Sequence, residues 1–301
     1  MTAVAWWALA GVAAGCLTPV ALRALLRRGV GAAVLLCTWG AMVSLIITAL
    51  ALPALAELFH RCRLSVRPID TSPLDTAAAA VSAGILLVAA IVGGWRFGHH
   101  SRMRHRLHGK HFEMNWLLTG QRPRPGTVVW LPVAEPLAYS LAGHPPLVVA
   151  TTGLYRVFDA ATVSAVLAHE HAHTARRHHL FVSLADTVAS GLGWLPLMRQ
   201  SPSLVRTLVE LDADAHAARS HGHHRLLRAL RTLQHTATPP AALGIAGECT
   251  QLRMTRLCAQ SCGGAGRLGG VAAYCGAALV VGVPVLVSLS VVIAVASCTA
   301  V

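Results

Sequence analysis

The segment His169-Glu170-His171-Ala172-His173 sets two imidazoles four residues apart, with a carboxylate beside the first. On a helix this spacing places His169 and His173 on one face, within reach of a single metal ion, and brings Glu170 to a water beside it. Neutral nitrogens and carboxylate oxygens are ligands that zinc accepts, and a catalytic site keeps one position open. Zinc would lower the pKa of water there, and Glu170 would accept its proton during attack on a carbonyl. A second acidic cluster follows in Glu210-Leu-Asp-Ala-Asp214-Ala-His-Ala217. Glu210 and Asp214 share a helix face, so Glu210 is the expected third protein ligand of one zinc per chain. Asp214 is then the acceptor for the outer N–H of a ligand imidazole. Asp212 points off that face and reads as a solvent-facing acid. With 17 His in the chain, a histidine-rich helix touching phosphates is the competing reading.

A strand, then Ala165-Val-Leu-Ala-His169-Glu-x-x-His173, then Glu210-x-x-x-Asp214-x-x-Ala217 together resemble the integral-membrane gluzincin peptidases. The BlaR/MecR-type sensor-transducer peptidases are the nearer likeness and the HtpX-type membrane proteases the more distant. The resemblance covers roughly residues 125–225 and a similar arrangement of flanking spans. It implies zinc on His169, His173 and Glu210, with Glu170 as general base and acid, and a protein or peptide substrate. Two features depart from it. Where relatives commonly place Asp, five residues after the second histidine, this chain has His178. The large extracellular penicillin-binding domain of the BlaR/MecR sensors has no counterpart here, so β-lactam sensing of that kind is not expected.

The elements that must position these groups are legible in outline. Asp159 precedes a helical pattern carried by Val163, Val166 and Leu167, which runs directly into His169. Thr127–Leu131, Ala138–Leu141 and Pro146–Thr152 read as strands of a small antiparallel sheet, with Leu147–Thr152 as a candidate edge for an extended substrate. The helix bearing Glu210 is expected to start at Ser201-Pro202-Ser203. For a developing oxyanion, His216, Arg219 and Tyr155 are the weak candidates.

Composition supplies the setting. The 301 residues are 54% hydrophobic and 12% charged, with a mean hydropathy of +0.57. A soluble domain carries about 25% charged residues, so a purely soluble enzyme, a disordered chain and a secreted disulfide miniprotein are excluded. Ala3–Leu22, Gly29–Ala56, Thr76–Trp95 and Val271–Val295 are uncharged and long enough to cross a bilayer. The expected fold is therefore mainly α, a multi-span integral membrane protein carrying a zincin-like α+β peptidase domain. Residues 1–97 would supply three transmembrane helices, 98–268 the domain, and 269–301 a last transmembrane helix.

The excess of 25 Lys+Arg over 12 Asp+Glu has a simple use at the cytoplasmic face, without nucleic acid as a partner. Arg96, Arg102, Arg104, Arg106 and Lys110 follow the third span and place the domain, and its active site, on the cytoplasmic side of the plasma membrane. The stretch His99–His111 reads either as a contact to anionic lipid headgroups or as a solvated helix extension. Cys62 and Cys298 would both face outward and form a candidate pair.

One apolar segment constrains everything else. If 180–198 crossed the bilayer once, His173 and Glu210 would lie on opposite sides and could share no metal. Gly191, Gly193 and Pro196 favour a turn back. The function expected is regulatory proteolysis by a membrane-embedded zinc endopeptidase. The alternative is a catalytically silent membrane scaffold that keeps a metal-stabilised peptidase fold.

Overall fold

The computed structural model describes residues 3–64, 73–119, 126–236 and 243–261. Three long helices come first: α1 (Ala3–Arg27), α2 (Ala32–Leu64) and α3 (Pro73–Thr119). Strands β1 (Val128–Leu131), β2 (Ala138–Leu141) and β3 (Leu147–Thr151) follow. The rest is helical: α4 (Leu154–Val157), α5 (Ala160–Ala175), α6 (His178–Leu192), α7 (Pro196–His221), α8 (His223–Thr236) and α9 (Leu243–Ser261). The described residues form two compact units. One contains 3–64, 73–96 and 185–202; the other contains 97–119, 126–184, 203–236 and 243–261.

The first unit holds the apolar helices. Ala8–Arg27, Ala32–Leu58 and Thr76–Arg106 are each long and apolar enough to cross a membrane. The fourth expected span, Val271–Val295, and the pairing of Cys62 with Cys298 lie outside the described residues. Leu17, Val20, Val81, Leu87 and Ile91 are exposed, an arrangement that lipid satisfies and water does not. Trp39 is fully buried, and its indole N–H donates to Ser201 Oγ at 2.8 Å.

Residues 180–198 do not form one continuous helix. Helix α6 ends at Leu192, and α7 starts at Pro196, where proline suits a first helical turn. The two helices fold back as a hairpin: His178, at the start of α6, meets Asp212, well along α7. Gly191 permits a close approach to α3, because a Cβ there would lie 2.6 Å from the Ala89 carbonyl oxygen. The expected helix start at Ser201-Pro202 is corrected. Pro202 lies inside α7, and the Ser201 hydroxyl donates to Leu197 O at 2.8 Å instead of capping an N-terminus.

In the second unit the sheet is mixed, not antiparallel as expected. Its strand order is β1-β3-β2, with β1 parallel and β2 antiparallel to β3. The expectation that Leu147–Thr152 forms an edge is also overturned. Strand β3 is central and buried throughout, and the edges are β1 and β2. The cause is the short β1–β2 connection, which crosses over the end of β3. Thr152 N donates to Leu131 O and Gly153 N to Val133 O, while Thr151 Oγ1 donates to Glu135 O. Gly153 makes this crossing feasible, since a Cβ there would fall 2.2 Å from Ala134 O.

Helix α5 opens as the sequence indicates: the Asp159 side chain accepts from Thr162 N at 2.7 Å. It packs on β2, β3 and α8. Ala150, Leu154, Phe158, Val163 and Val166 fill the core on one side, and Ala165, Ala217, Ala218, Leu226 and Leu257 join α5 to α7, α8 and α9 on the other. The His-rich stretch 99–111 continues α3 as a helix, and His108 is buried, its Nε2 2.8 Å from Pro145 O.

Gly153→Ala should therefore cost roughly 1–3 kcal/mol through overpacking against backbone. A lowered melting temperature in detergent would show it, whereas Gly31→Ala, with nothing within 4 Å, should melt like the wild type.

Candidate metal centre

The buried face of α5 runs through Thr162, Ala165, Val166, His169 and Ala172, so the core fixes the helix rotation that presents His169. His173 follows one turn later, its ring 4.9 Å from that of His169 and steeply inclined to it. Helix α7 returns Glu210 to the same place. His169 Nε2 lies 3.2 Å from His173 Nε2 and 3.4 Å from Glu210 Oε2, and His173 Nε2 lies 3.5 Å from Glu210 Oε1. Ligands bonded tetrahedrally to zinc at about 2.0–2.1 Å stand about 3.3 Å apart. The two imidazole nitrogens stand at that spacing, a different Glu210 oxygen approaches each of them, and one ligand atom from each of the three residues lies within 4.8 Å of the others. Two imidazole lone pairs that face each other repel unless a cation or proton sits between them. The donor set therefore fits a zinc ion.

The outer nitrogens are held as well. His169 Nδ1 is 3.0 Å from Asp214 Oδ1, although the carboxylate sits off the line of a well-directed hydrogen bond. His173 Nδ1 faces His178 Nδ1 at 3.0 Å, and His178 Nε2 faces Asp212 Oδ2 at 3.0 Å. If Nε2 of His173 binds the metal, every proton in this chain is assigned. His173 Nδ1–H donates to His178, and His178 Nε2–H donates to Asp212, which also accepts from Arg176. Asp212 is buried, which corrects the expectation of a solvent-facing acid. His178, five residues after the second histidine, reaches a carboxylate through its ring.

Arg253, on α9, gives no sign of itself in the sequence. Its Nε and Nη2 donate to Asp214 at 2.7 and 2.8 Å, and its Nη1 lies 2.8 Å from Glu210 Oε2. Burial opposes ionisation of Asp214, but the hydrogen bonds from Arg253 and the nearby His169 ring hold its carboxyl below the usual range. Glu210 is likewise held far below that range, against burial, by His169 and the Arg253 charge. These carboxylates raise His169 against the effect of burial, whereas burial pushes His173 down to about 4. The surroundings favour one positive charge between the rings. Glu170 is raised to about 7, chiefly by desolvation, with Ser140 on β2 among the groups that oppose the rise. A carboxyl near neutrality is suited to both taking and returning a proton.

His173, Glu210 and Ser140 open into a groove of about 880 Å³. The oxyanion candidates do not line it. Tyr155 stacks on Trp130 with 5.2 Å between ring centroids, and Arg219 is exposed and bonded to His216.

Residues 120–207 match Peptidase family M48. The match supports the M48 metallopeptidases, which are zinc-dependent and include the HtpX and BlaR types, but it does not single out the BlaR/MecR type. It contains α5 and ends three residues before Glu210, so the placement of Glu210 rests on geometry alone. No curated protein and no solved structure matches this chain.

The Asp214–Arg253 pair predicts an acid-sensitive stability. Because the folded pKa of Asp214 lies below its ordinary 3.8, its contribution is present above pH 3.8 and is lost as the pH falls through the folded value. Breaking a buried pair costs about 3–5 kcal/mol. Asp214→Asn should therefore lower the stability of chelator-treated protein by about 3 kcal/mol at roughly pH 6, and thermal melts should show the gap to wild type closing below pH 3.8.

Proposed function

We propose that this chain is a membrane-embedded zinc endopeptidase that cuts a protein substrate, with regulatory proteolysis as its role. The observation that carries the reading is the meeting of His169, His173 and Glu210, whose imidazole nitrogens lie 3.2 Å apart with a Glu210 oxygen 3.4–3.5 Å from each, beside an open cleft. The M48 likeness and the apolar helices support a membrane-anchored metallopeptidase more coarsely. Five basic residues after the uncharged run Thr76–Trp95 support a cytoplasmic cleft at the plasma membrane.

Zinc held by these three side chains would polarise a substrate carbonyl and acidify water beside it. The remaining steps belong to the protein. Glu170 takes the proton from the attacking water and delivers it to the leaving amine. Ser140, near the end of β2, stands in the cleft wall beside His173 and Glu210. Asp214 orients His169, and His178, anchored by Asp212, orients His173. Arg253 keeps both α7 carboxylates ionised.

Arg253 also gives the second reading its footing. A guanidinium 2.8 Å from Glu210 neutralises that carboxylate without any metal, which a silent scaffold would use to keep the fold.

The two readings separate on purified full-length protein in detergent. Wild type and Glu170→Gln should each hold one zinc. Cleavage of casein, or self-cleavage, should fall by about 10²–10⁴-fold in the variant. Zinc in both proteins with no activity in either would establish the scaffold instead. His178→Ala should weaken zinc binding by about 10–100-fold, read by competition with a chelating dye. An unchanged affinity would remove His178 from the site.

A further inference from the structure

The cleft beside the candidate metal centre is strongly cationic. Arg104, Arg177 and Arg206 line it, together with His144 and His179, and its one carboxylate is Glu210. Glu210 is already committed to His169, His173 and Arg253. The positive side chains come from four separate parts of the chain: α3, the β2–β3 turn, the α5–α6 junction and α7. Their charges act on one another. His179 is lowered first by burial and then by Arg104, Arg177 and His144.

Arg177 is the most informative of these residues. It lies between α5 and α6 with φ of 53°, the one non-glycine residue with positive φ among the described residues. That conformation costs a side-chain-bearing residue about 1–2 kcal/mol, and glycine would adopt it freely. Its neighbour Arg176 points to Asp212 and serves the structure. Arg177 forms no ion pair among the described residues and faces the cleft four residues after His173. The left-handed residue ends α5, a position glycine usually takes, and the side chain that stands there instead brings a guanidinium without an ion pair to the cleft wall.

We infer that the cleft selects peptide segments carrying Asp or Glu close to the bond to be cut, with Arg177 and Arg206 as carboxylate-binding residues. This rests on the peptidase reading above and names its substrate class. Anionic lipid headgroups offer a similar charge. However, the cations are not confined to α3 and share one cleft with His173 and Glu210, where a peptide presented to the centre would lie.

The test uses full-length Glu170→Gln protein in detergent, loaded with zinc, and pairs of fluorescent peptides that differ only in Asp/Glu against Asn/Gln. Anisotropy should give about tenfold tighter binding of the acidic peptide, a preference that shrinks as salt rises. Adding Arg177→Gly, which also relieves the strained φ, should reduce the preference to about twofold or less without lowering the melting temperature or zinc content. Adding Arg206→Gln instead should reduce it partly. Equal binding of acidic and amide peptides would overturn the inference. So would displacement of the acidic peptide by dihexanoyl phosphatidylglycerol at concentrations below the peptide's own Kd, since the cleft would then be a headgroup site. Wild-type turnover of the same peptides separates the two claims. Selective binding without cleavage would sink the peptidase reading and leave the cleft assignment standing. Cleavage indifferent to acidic residues would do the reverse.

Discussion

Two imidazole nitrogens and a carboxylate meet at 3.2–3.5 Å, although His173 and Glu210 are separated by an apolar stretch long enough to cross a bilayer. The structure depends on that stretch turning back. Helix α6 descends for 15 residues, three residues make the turn, and α7 returns for 26. Within the apolar unit, Ser201 near the start of the returning helix accepts a buried hydrogen bond from Trp39 of α2, and Gly191 lets the descending helix lie against Ala89 of α3. Without the return there would be no shared ligand face, no cleft and no use for Glu170.

The second organising feature is how few carboxylates the chain has and where they go. The sequence has 12 acidic residues, and among the described residues Glu170, Glu210, Asp212 and Asp214 lie in or against the candidate centre. Their surroundings set them apart. Glu170 is desolvated and stays near neutrality, while Glu210 and Asp214 are held ionised by Arg253. Asp212 is held ionised by His178 and Arg176. Buried charge is costly unless paired, so these pairings let a cluster of acids persist beside an apolar core. In the same region, basic side chains from four parts of the chain converge on the cleft.

Much of this is legible in the sequence where a local rule applies. The four-residue spacing of His169 and His173 fixes their common helix face, as does that of Glu210 and Asp214, and Asp159 announces the start of α5. Long uncharged runs identify the first three apolar helices. Other features depend on contacts between distant residues and carry no local signature. Arg253 meets Asp214 across 39 residues, and His178 meets Asp212 across 34. Helical spacing turns Asp212 away from Glu210, but it cannot show that a buried histidine waits there. The sheet departs from expectation for a related reason. Three short β-branched runs specify strands but not pairing, and only the crossing of the β1–β2 connection over Gly153 makes β1 parallel to β3.

The most direct test is X-ray absorption at the zinc edge on the purified full-length protein. We expect about one zinc per chain with two imidazole nitrogens and a carboxylate oxygen at about 2.0–2.2 Å, and loss of the oxygen ligand in Glu210→Ala. A protein that binds no zinc, or a spectrum dominated by sulfur at about 2.3 Å, would contradict the three-ligand centre.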